Sequence, residues 1–530
     1  MIRRINIPQR ANRLKHTATH RTTSTPILPF RAYSQYNYNQ TYANYNPPSS
    51  PKSSWFRKFL YATLGISVIS GYAYYMWWPK HTFPSSVAKI LRKGLWAESD
   101  RGEHDYQLAL KYYLEALEHC KEIGMDPLSD EYTGVQLKIG EMFERLGMMS
   151  DAAFVYNEIA TLYLSVLTAK PAGANTSARL IGRDLRRHLI QKDLRIAIKL
   201  VELNKNNPAL CKAILVTHLI IAQDEVNKLG GSVGKLNLVT KVGSNDVDNK
   251  GPQQQSQHQE PNKFTATLDK DTIFINDESG TEVAAIRKTP EVWEPFTDEF
   301  FNAMDLLSAI CISTGDLAMA SKVKIAMTES MLLADVEPGK LLLSQCNLGS
   351  LLYMQAEELE AQEIAMKKKF AEIANIDYTR LANDAKLSQD QATQSLLKEK
   401  IPSNDQATFT KLLQSRKICI QLAIKSYESV LQFAKSIPPE ITKQHNEINE
   451  TVALATYGLG VVNLHLSNYD KAERLLRESR VRSRSCDYEF LLPEIERELK
   501  KLFEERKLIQ SGKPVEKDSQ KSIEMDIRMQ

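Results

Sequence analysis

Two hydrophobic patterns divide this chain. From Phe59 to Trp78, twenty residues pass without a charge; from Ala97 onward apolar residues recur every three and four positions. An uncharged helix of the first length reaches about 30 Å, the thickness of a bilayer's hydrocarbon core. Arg57 and Lys58 close it on one side and Pro79 and Lys80 on the other, and three of the five Trp (Trp55, Trp77 and Trp78) stand at its ends. Rings with one wet and one greasy side gather where headgroups meet acyl chains. The pattern predicts one transmembrane helix within residues 55–80, its ends at Phe59 and Trp78.

The second pattern is helical and repetitive. Ala109 and Tyr113 share a helix face, and Gly140, Ala152 and Tyr156 repeat the theme. Gly315 with Ala320, Gly349 with Ala361, Ala423 with Tyr427, and Gly460 with Ala472 continue it. Small residues let two helices cross closely, and an aromatic fills the gap beside them. These spacings resemble the tetratricopeptide (TPR) repeat, whose helix pairs cannot bury their apolar faces alone and must stack. The fold class expected is all-α: a TPR-like helical-hairpin solenoid behind one N-terminal transmembrane helix. Its blocks are expected at residues 85–228 and 291–510. The alanines at 109, 152, 320, 361, 423 and 472 lie 43, 168, 41, 62 and 49 apart. The family period is about 34, so the helices are longer than usual or further segments intervene. The helical stretch Leu180 to Gln223 is expected to supply a degenerate repeat.

Composition sets these blocks in context. The first 97 residues hold 14 Lys or Arg and no Asp or Glu. An acid-free start rich in Arg, Ser and Thr is the composition of a mitochondrial presequence, assigned to residues 1–33. Arg31, Tyr33 and Ser34 resemble the site at which matrix peptidases trim such leaders. Residues 34–54, with their Asn, Tyr and Pro, read as a low-complexity linker. Residues 229–290 read as a disordered insertion in which Thr272 to Ile286 can form a hairpin around Ser279 and Gly280. Residues 511–530 read as a disordered tail. Beyond residue 97, 54 basic face 64 acidic residues, a net of about −10. That balance argues against nucleic acid as a partner, since phosphate binding needs basic surface.

Catalytic patterns are absent from the sequence. Gly230 to Lys235 hints at a phosphate loop, but Leu229 replaces its first glycine and Leu236 its Mg²⁺-holding hydroxyl. There is no His-Glu-x-x-His, and the six Cys are scattered among apolar neighbours as small hydrophobes. No cofactor, metal or enzymatic activity is expected. Counting repeat positions places Leu343, Tyr353, Met354, Leu454, Tyr457, Val461 and Leu464 on an inner groove, an apolar surface suited to unfolded polypeptide. The competing reading packs the same residues against the neighbouring helix.

The order of presequence, single anchor and irregular TPR array resembles the TPR-containing adaptor subunits of the fungal mitochondrial i-AAA protease complex. That resemblance implies an inner-membrane protein with its N-terminus in the matrix and its array in the intermembrane space. It also implies partners: the membrane-embedded AAA protease subunits and unfolded or membrane-protein substrates. Two other readings remain: a structural scaffold without clients, and an outer-membrane import receptor facing the cytosol. Receptors of the second kind grip carboxylates with a Lys and an Asn at positions that here hold Gly94 and Glu98.

Overall fold

The computed structural model describes residues 63–72, 74, 82–169, 182–230, 265–268, 272–276, 282–378, 381 and 399–511. They fall into two compact units, residues 1–80 and 81–530. In the first, residues 63–72 are helical, and Leu64, Ile66, Val68 and Ile69 are all more than half exposed. Among the described residues no helix is long and apolar enough to cross a membrane. The ends assigned from sequence, Phe59 and Trp78, lie outside the described residues, as do Arg31, Tyr33 and Ser34.

The second unit is a succession of helical hairpins. Helices α1 (Ser85–Glu98) and α2 (Tyr106–Glu122) form the first; α3 (Asp130–Arg145) and α4 (Met149–Leu167) the second. The third is α5 (Arg183–Leu203) with α6 (Pro208–Gly230), the degenerate repeat expected between Leu180 and Gln223. Three strands follow, β1 (Thr265–Leu268), β2 (Thr272–Asn276) and β3 (Glu282–Arg287), in one antiparallel sheet of order β1-β2-β3. Ile273 faces Ile286 and Phe274 faces Ala285 across the second pair. After the short α7 (Pro290–Trp293), α8 (Thr297–Ser313) pairs with α9 (Leu317–Leu333). Then α10 (Pro338–Ala374) pairs with α11 (Ser403–Ser436). The short α12 (Pro439–Gln444) precedes the hairpin of α13 (Asn446–His465) and α14 (Tyr469–Ser485), and α15 (Leu492–Gln510) closes the series. First helices also touch the next first helix, α5 against α8, α10 against α13, and α13 against α15. That is how stacked hairpins share one continuous core.

Local chemistry sets the helix ends. The Asp105 carboxylate accepts from the backbone N–H groups of Gln107 (2.9 Å) and Leu108 (3.1 Å), and Ser129 Oγ accepts from Tyr132 N–H. Both satisfy donors that a helix start leaves open. Between the helices of the second and fourth hairpins, Gly147 and Gly315 each turn at φ 76°, a conformation that a side chain strains.

Close packing of an aromatic on a glycine holds the hairpins together. Ala109, Ala152, Ala320, Ala423 and Ala472 are each fully buried on a second helix, near its start in every case but Ala423, which lies in the second half of α11. Four residues on, Tyr113, Tyr156 and Tyr427 lie across Gly94, Gly140 and Gly349, and Leu476 lies across Gly460. A Cβ built on those glycines would sit 2.8, 2.6, 2.9 and 2.8 Å from the side chain above. Tyr427 also lies on Gly458 of the next hairpin, closer still, so one ring joins three helices.

Two expectations need correction. Ala361 does not start a second helix: it is exposed, midway along α10, whose 37 residues run on without a turn. From Ser350 to Ala374 the sequence offers helix formers and neither Gly nor Pro, so nothing stops it. The partner helix is α11, 34 residues long, and the outer part of this pair is tied by Phe370 against Phe409, ring centres 5.4 Å apart. In the insertion, β2 and β3 pair as the hairpin expected within Thr272 to Ile286, and β1 adds a third strand where an irregular segment was expected; Thr, Ile, Val and Phe suit a pleated surface. The array itself is helical throughout its described residues.

Gly458→Ala is expected to cost about 1–3 kcal/mol, because Tyr427 is fully buried and cannot withdraw. Gly134→Ala is the control: it is helical with nothing within 4 Å of the added Cβ, and is expected to stabilise by up to about 1 kcal/mol. Denaturant titration of the two variants checks this pair.

Candidate functional site

The residues assigned to an inner groove lie on α10 and α13, but they are mostly closed off. Tyr353 (1% exposed), Leu454, Tyr457, Val461 and Leu464 are buried, and Leu343 and Met354 are half-buried. The cause is the hydrophobicity of α13, buried almost continuously from Thr451 to Leu464 and touched by α10, α11, α14 and α15. A helix apolar all round is core, so these side chains hold the stack instead of facing a ligand.

A polar cluster edges that core. The Glu360 carboxylate lies 3.1 Å from His465 Nε2, and the Arg416 guanidinium sits 2.7 Å from Glu363, which also meets Lys367 at 2.7 Å. Tyr353 stands edge-on to His465, ring centres 5.7 Å apart. Burial pushes the Tyr353 and Tyr457 hydroxyls well above their ordinary range, and the nearby Glu498 carboxylate adds to both. Burial likewise raises Glu498 and Glu357. The Tyr457 hydroxyl and Glu498 Oε2 have no hydrogen-bond partner among the described residues, whereas the Tyr353 hydroxyl meets the Glu357 carboxylate. These groups lie on helix faces with no nucleophile and base aligned.

The open surface lies elsewhere, between α14 and α15. A groove of about 410 Å³ is lined by Arg477, Arg480, Lys500 and Lys507, with Leu499 and Phe503 between them and Glu496 and Glu504 at its edge. Phe503 is 45% exposed, and the Arg477 guanidinium sits 5.9 Å from its ring centre. Arg480 is held by Glu496 at 3.1 Å and Arg477 by Glu473 at 2.8 Å. An apolar floor walled by cations suits an amphipathic polypeptide with acidic flanks. Sequence reasoning passed over this groove, although the run Arg474, Arg477, Arg480, Arg482 and Arg484 on one helix was its signal.

The first hairpin has its own ionic cluster. Glu98 accepts from Tyr113 Oη at 2.7 Å and pairs with Lys138 at 3.0 Å and Arg145 at 3.4 Å, while Gly94 lies beneath Tyr113. A carboxylate so placed repels an incoming carboxylate. The Lys and Asn of an import receptor's clamp have no counterpart at these two positions.

In the middle hairpins polar pairs replace the aromatic contact. Lys324, four residues beyond Ala320, stands where the others carry Tyr or, after Ala472, Leu; it is buried against Asp305 of α8. Between α5 and α6, His218 meets Asp193 at 2.6 Å, both buried, and burial raises the Asp193 carboxyl. Among the described residues no group of three or more His, Cys, Asp or Glu is placed to hold a metal ion, and all six Cys are free and buried.

Lys324→Met alone is expected to cost about 3–5 kcal/mol by stranding the Asp305 charge, and the Asp305→Leu, Lys324→Met double variant less than the sum. A double-mutant cycle by denaturant unfolding reads the difference. A separate pH effect comes from Glu329 on α9, whose carboxyl burial raises to about 7. The folded chain then holds a proton that the unfolded chain loses near pH 4.5. Stability is therefore fully present at low pH and declines as pH rises through about 7. Glu329→Gln is expected to flatten that decline, worth on the order of 2 kcal/mol at pH 8, in unfolding curves at pH 5 and pH 8.

Comparison with known proteins extends this picture. A family model described as the MGR3 middle domain matches residues 174–336, the span from α5 through α9. The chain is 33% identical over 478 residues to a Saccharomyces cerevisiae protein named mitochondrial inner membrane i-AAA protease supercomplex subunit MGR3. That match covers 86% of this chain and 85% of the relative. A second S. cerevisiae protein, named MRG3-like, is 30% identical over 457 residues, 85% of this chain and 89% of its own length. A TPR repeat-containing protein of Schizosaccharomyces pombe is 29% identical over 111 residues, 20% of this chain and 31% of that protein.

Proposed function

Because the chain belongs to the MGR3 family, we propose that it is a non-catalytic adaptor of a mitochondrial inner-membrane i-AAA protease complex. In this reading it collects unfolded or membrane-protein substrates and delivers them to the ATP-dependent protease subunits, which carry the ATP site and the metal. The carrying observation is the likeness to a named supercomplex subunit over 86% of the chain. Residues 1–33 act as the import leader, and the uncharged stretch Phe59 to Trp78 spans the inner membrane with the N-terminus in the matrix. The hairpin array then works in the intermembrane space.

The surface best suited to a client is the groove between α14 and α15. Unfolded chains expose apolar side chains beside charged ones; Phe503 and Leu499 offer an apolar seat and Lys500, Lys507 and the arginines a charged rim. The import-receptor reading is weakened by Gly94 and Glu98, which stand where that class carries the Lys and Asn of its carboxylate clamp.

A photo-crosslinking residue at Val481, 66% exposed on α14, is expected to capture newly imported, unassembled polypeptides in isolated mitochondria. Phe503→Ser is expected to cut that yield about fivefold or more with an unchanged melting curve, because an exposed ring adds little to the core. Equal yields in the two proteins would remove the groove from the reading. A C-terminal tag digested by protease in intact mitochondria would contradict the intermembrane-space placement.

A further inference from the structure

Helix α1 has one unpartnered face, and it carries a single kind of charge. Lys89, Arg92, Lys93, Leu95 and Trp96 are all exposed, the last two at 52% and 58%. The spacing of residues 89, 92, 93 and 96 puts Lys89, Arg92, Lys93 and Trp96 on one side of the helix. The buried side, with Val87, Ala88, Gly94 and Ala97, packs against α2.

The cations are the unusual part. At the same end of the array Lys138 and Arg145 are tied to Glu98 and Glu141. Among the described residues no carboxylate lies in ion-pair range of Lys89, Arg92 or Lys93, and Lys93 reaches only the Tyr112 ring at 5.9 Å. The single carboxylate of α1, Glu98, is turned into the array, and Asp100 just beyond is met by His104 at 3.2 Å. The exposed face therefore offers three positive charges beside an indole, with no carboxylate against them among the described residues.

We propose that this face of α1 lies on an anionic lipid surface, with Lys89, Arg92 and Lys93 against lipid phosphates and Trp96 at the headgroup–acyl boundary. Charge and chain position argue for lipid over a protein occupant. Basic side chains close to a bilayer gain from anionic headgroups, and an amphipathic indole prefers that boundary. Only six residues separate Trp78 from Ser85, a tether of roughly 25 Å at full extension, so the chain cannot carry α1 far from the end of the uncharged stretch. The inference rests on reading Phe59 to Trp78 as membrane-seated. Its consequence is orientation: a single span leaves the array free to swivel, and a second contact through α1 limits the swivel.

The test uses the full chain in lipid nanodiscs of phosphatidylcholine alone or with about 20 mol% cardiolipin. A short pulse of amine acetylation is read residue by residue by mass spectrometry. Lys89 and Lys93 are expected to label about threefold or more slowly in the anionic discs, with protection lost at about 0.5 M salt. The exposed Lys205 and Lys411 are expected to label equally in both. A chain that stays with the discs through an alkaline wash but labels equally at Lys89 in both lipids overturns this proposal and leaves the anchor standing. A chain that washes off overturns both. Protection that needs an added protein partner and ignores lipid charge also overturns it, in favour of an acidic protein surface.

Discussion

The array depends on how closely two helices can approach. Each terminal hairpin places a large side chain from its second helix on a glycine of its first, with Tyr113 on Gly94, Tyr156 on Gly140, Tyr427 on Gly349 and Leu476 on Gly460. A missing Cβ lowers the crossing distance, and the ring fills the space at interior packing density. The tyrosine hydroxyls end on polar groups: Tyr113 donates to Glu98 at 2.7 Å and Tyr156 to Glu144 at 2.6 Å, while Tyr427 and Ser350 hydroxyls share a bond at 2.9 Å. Each ring therefore supplies apolar area and also orients the hairpin through its tip.

The middle of the chain departs from this rule. Where residues 174–336 match the middle-domain model, the aromatic is replaced by Lys324 on Asp305, and the pair His218 with Asp193 sits in the adjoining hairpin. Buried ion pairs roughly break even against apolar packing, so they add little net stability while punishing any misalignment. The two ends thus fix their register by close aromatic packing and a hydrogen bond at the ring's tip, whereas the middle fixes its own by buried charge pairs. A distinct middle domain is what such a change in core chemistry would present to a sequence comparison.

Much of this was legible in the residues because the packing rule is local. Ala109, Ala152, Ala320, Ala423 and Ala472 could be read as buried anchors, and Tyr113, Tyr156 and Tyr427 as the rings beside them, since both fall within one or two helical turns. Ala361 could not be placed correctly, because only tertiary pairing with the 34 residues of α11 decides that α10 continues past it. The inner-groove residues failed for a related reason. Position in a repeat tells which face a side chain is on but not whether a later helix covers that face, and α15 begins only at Leu492, 31 residues after Val461. The groove beside Phe503 was missed because its walls come from two helices whose charges, read singly, look like ordinary solvated faces.

The distribution of surface chemistry then gives the array a direction. Its first helix turns exposed cations and an indole outward within a few residues of the uncharged stretch, and its last two helices carry the open groove of mixed apolar and basic character. Four hairpins separate the first from the last, and the helices between them are linked one to the next by contacts along the whole series. A solenoid stacked this way bends but does not hinge freely, since each hairpin is fixed by both neighbours. What α1 rests on therefore constrains where the α14–α15 groove points. In the adaptor reading proposed above, a protein presenting a chain to a protease in the same bilayer gains from such a constraint, because it confines the encounter to productive geometries.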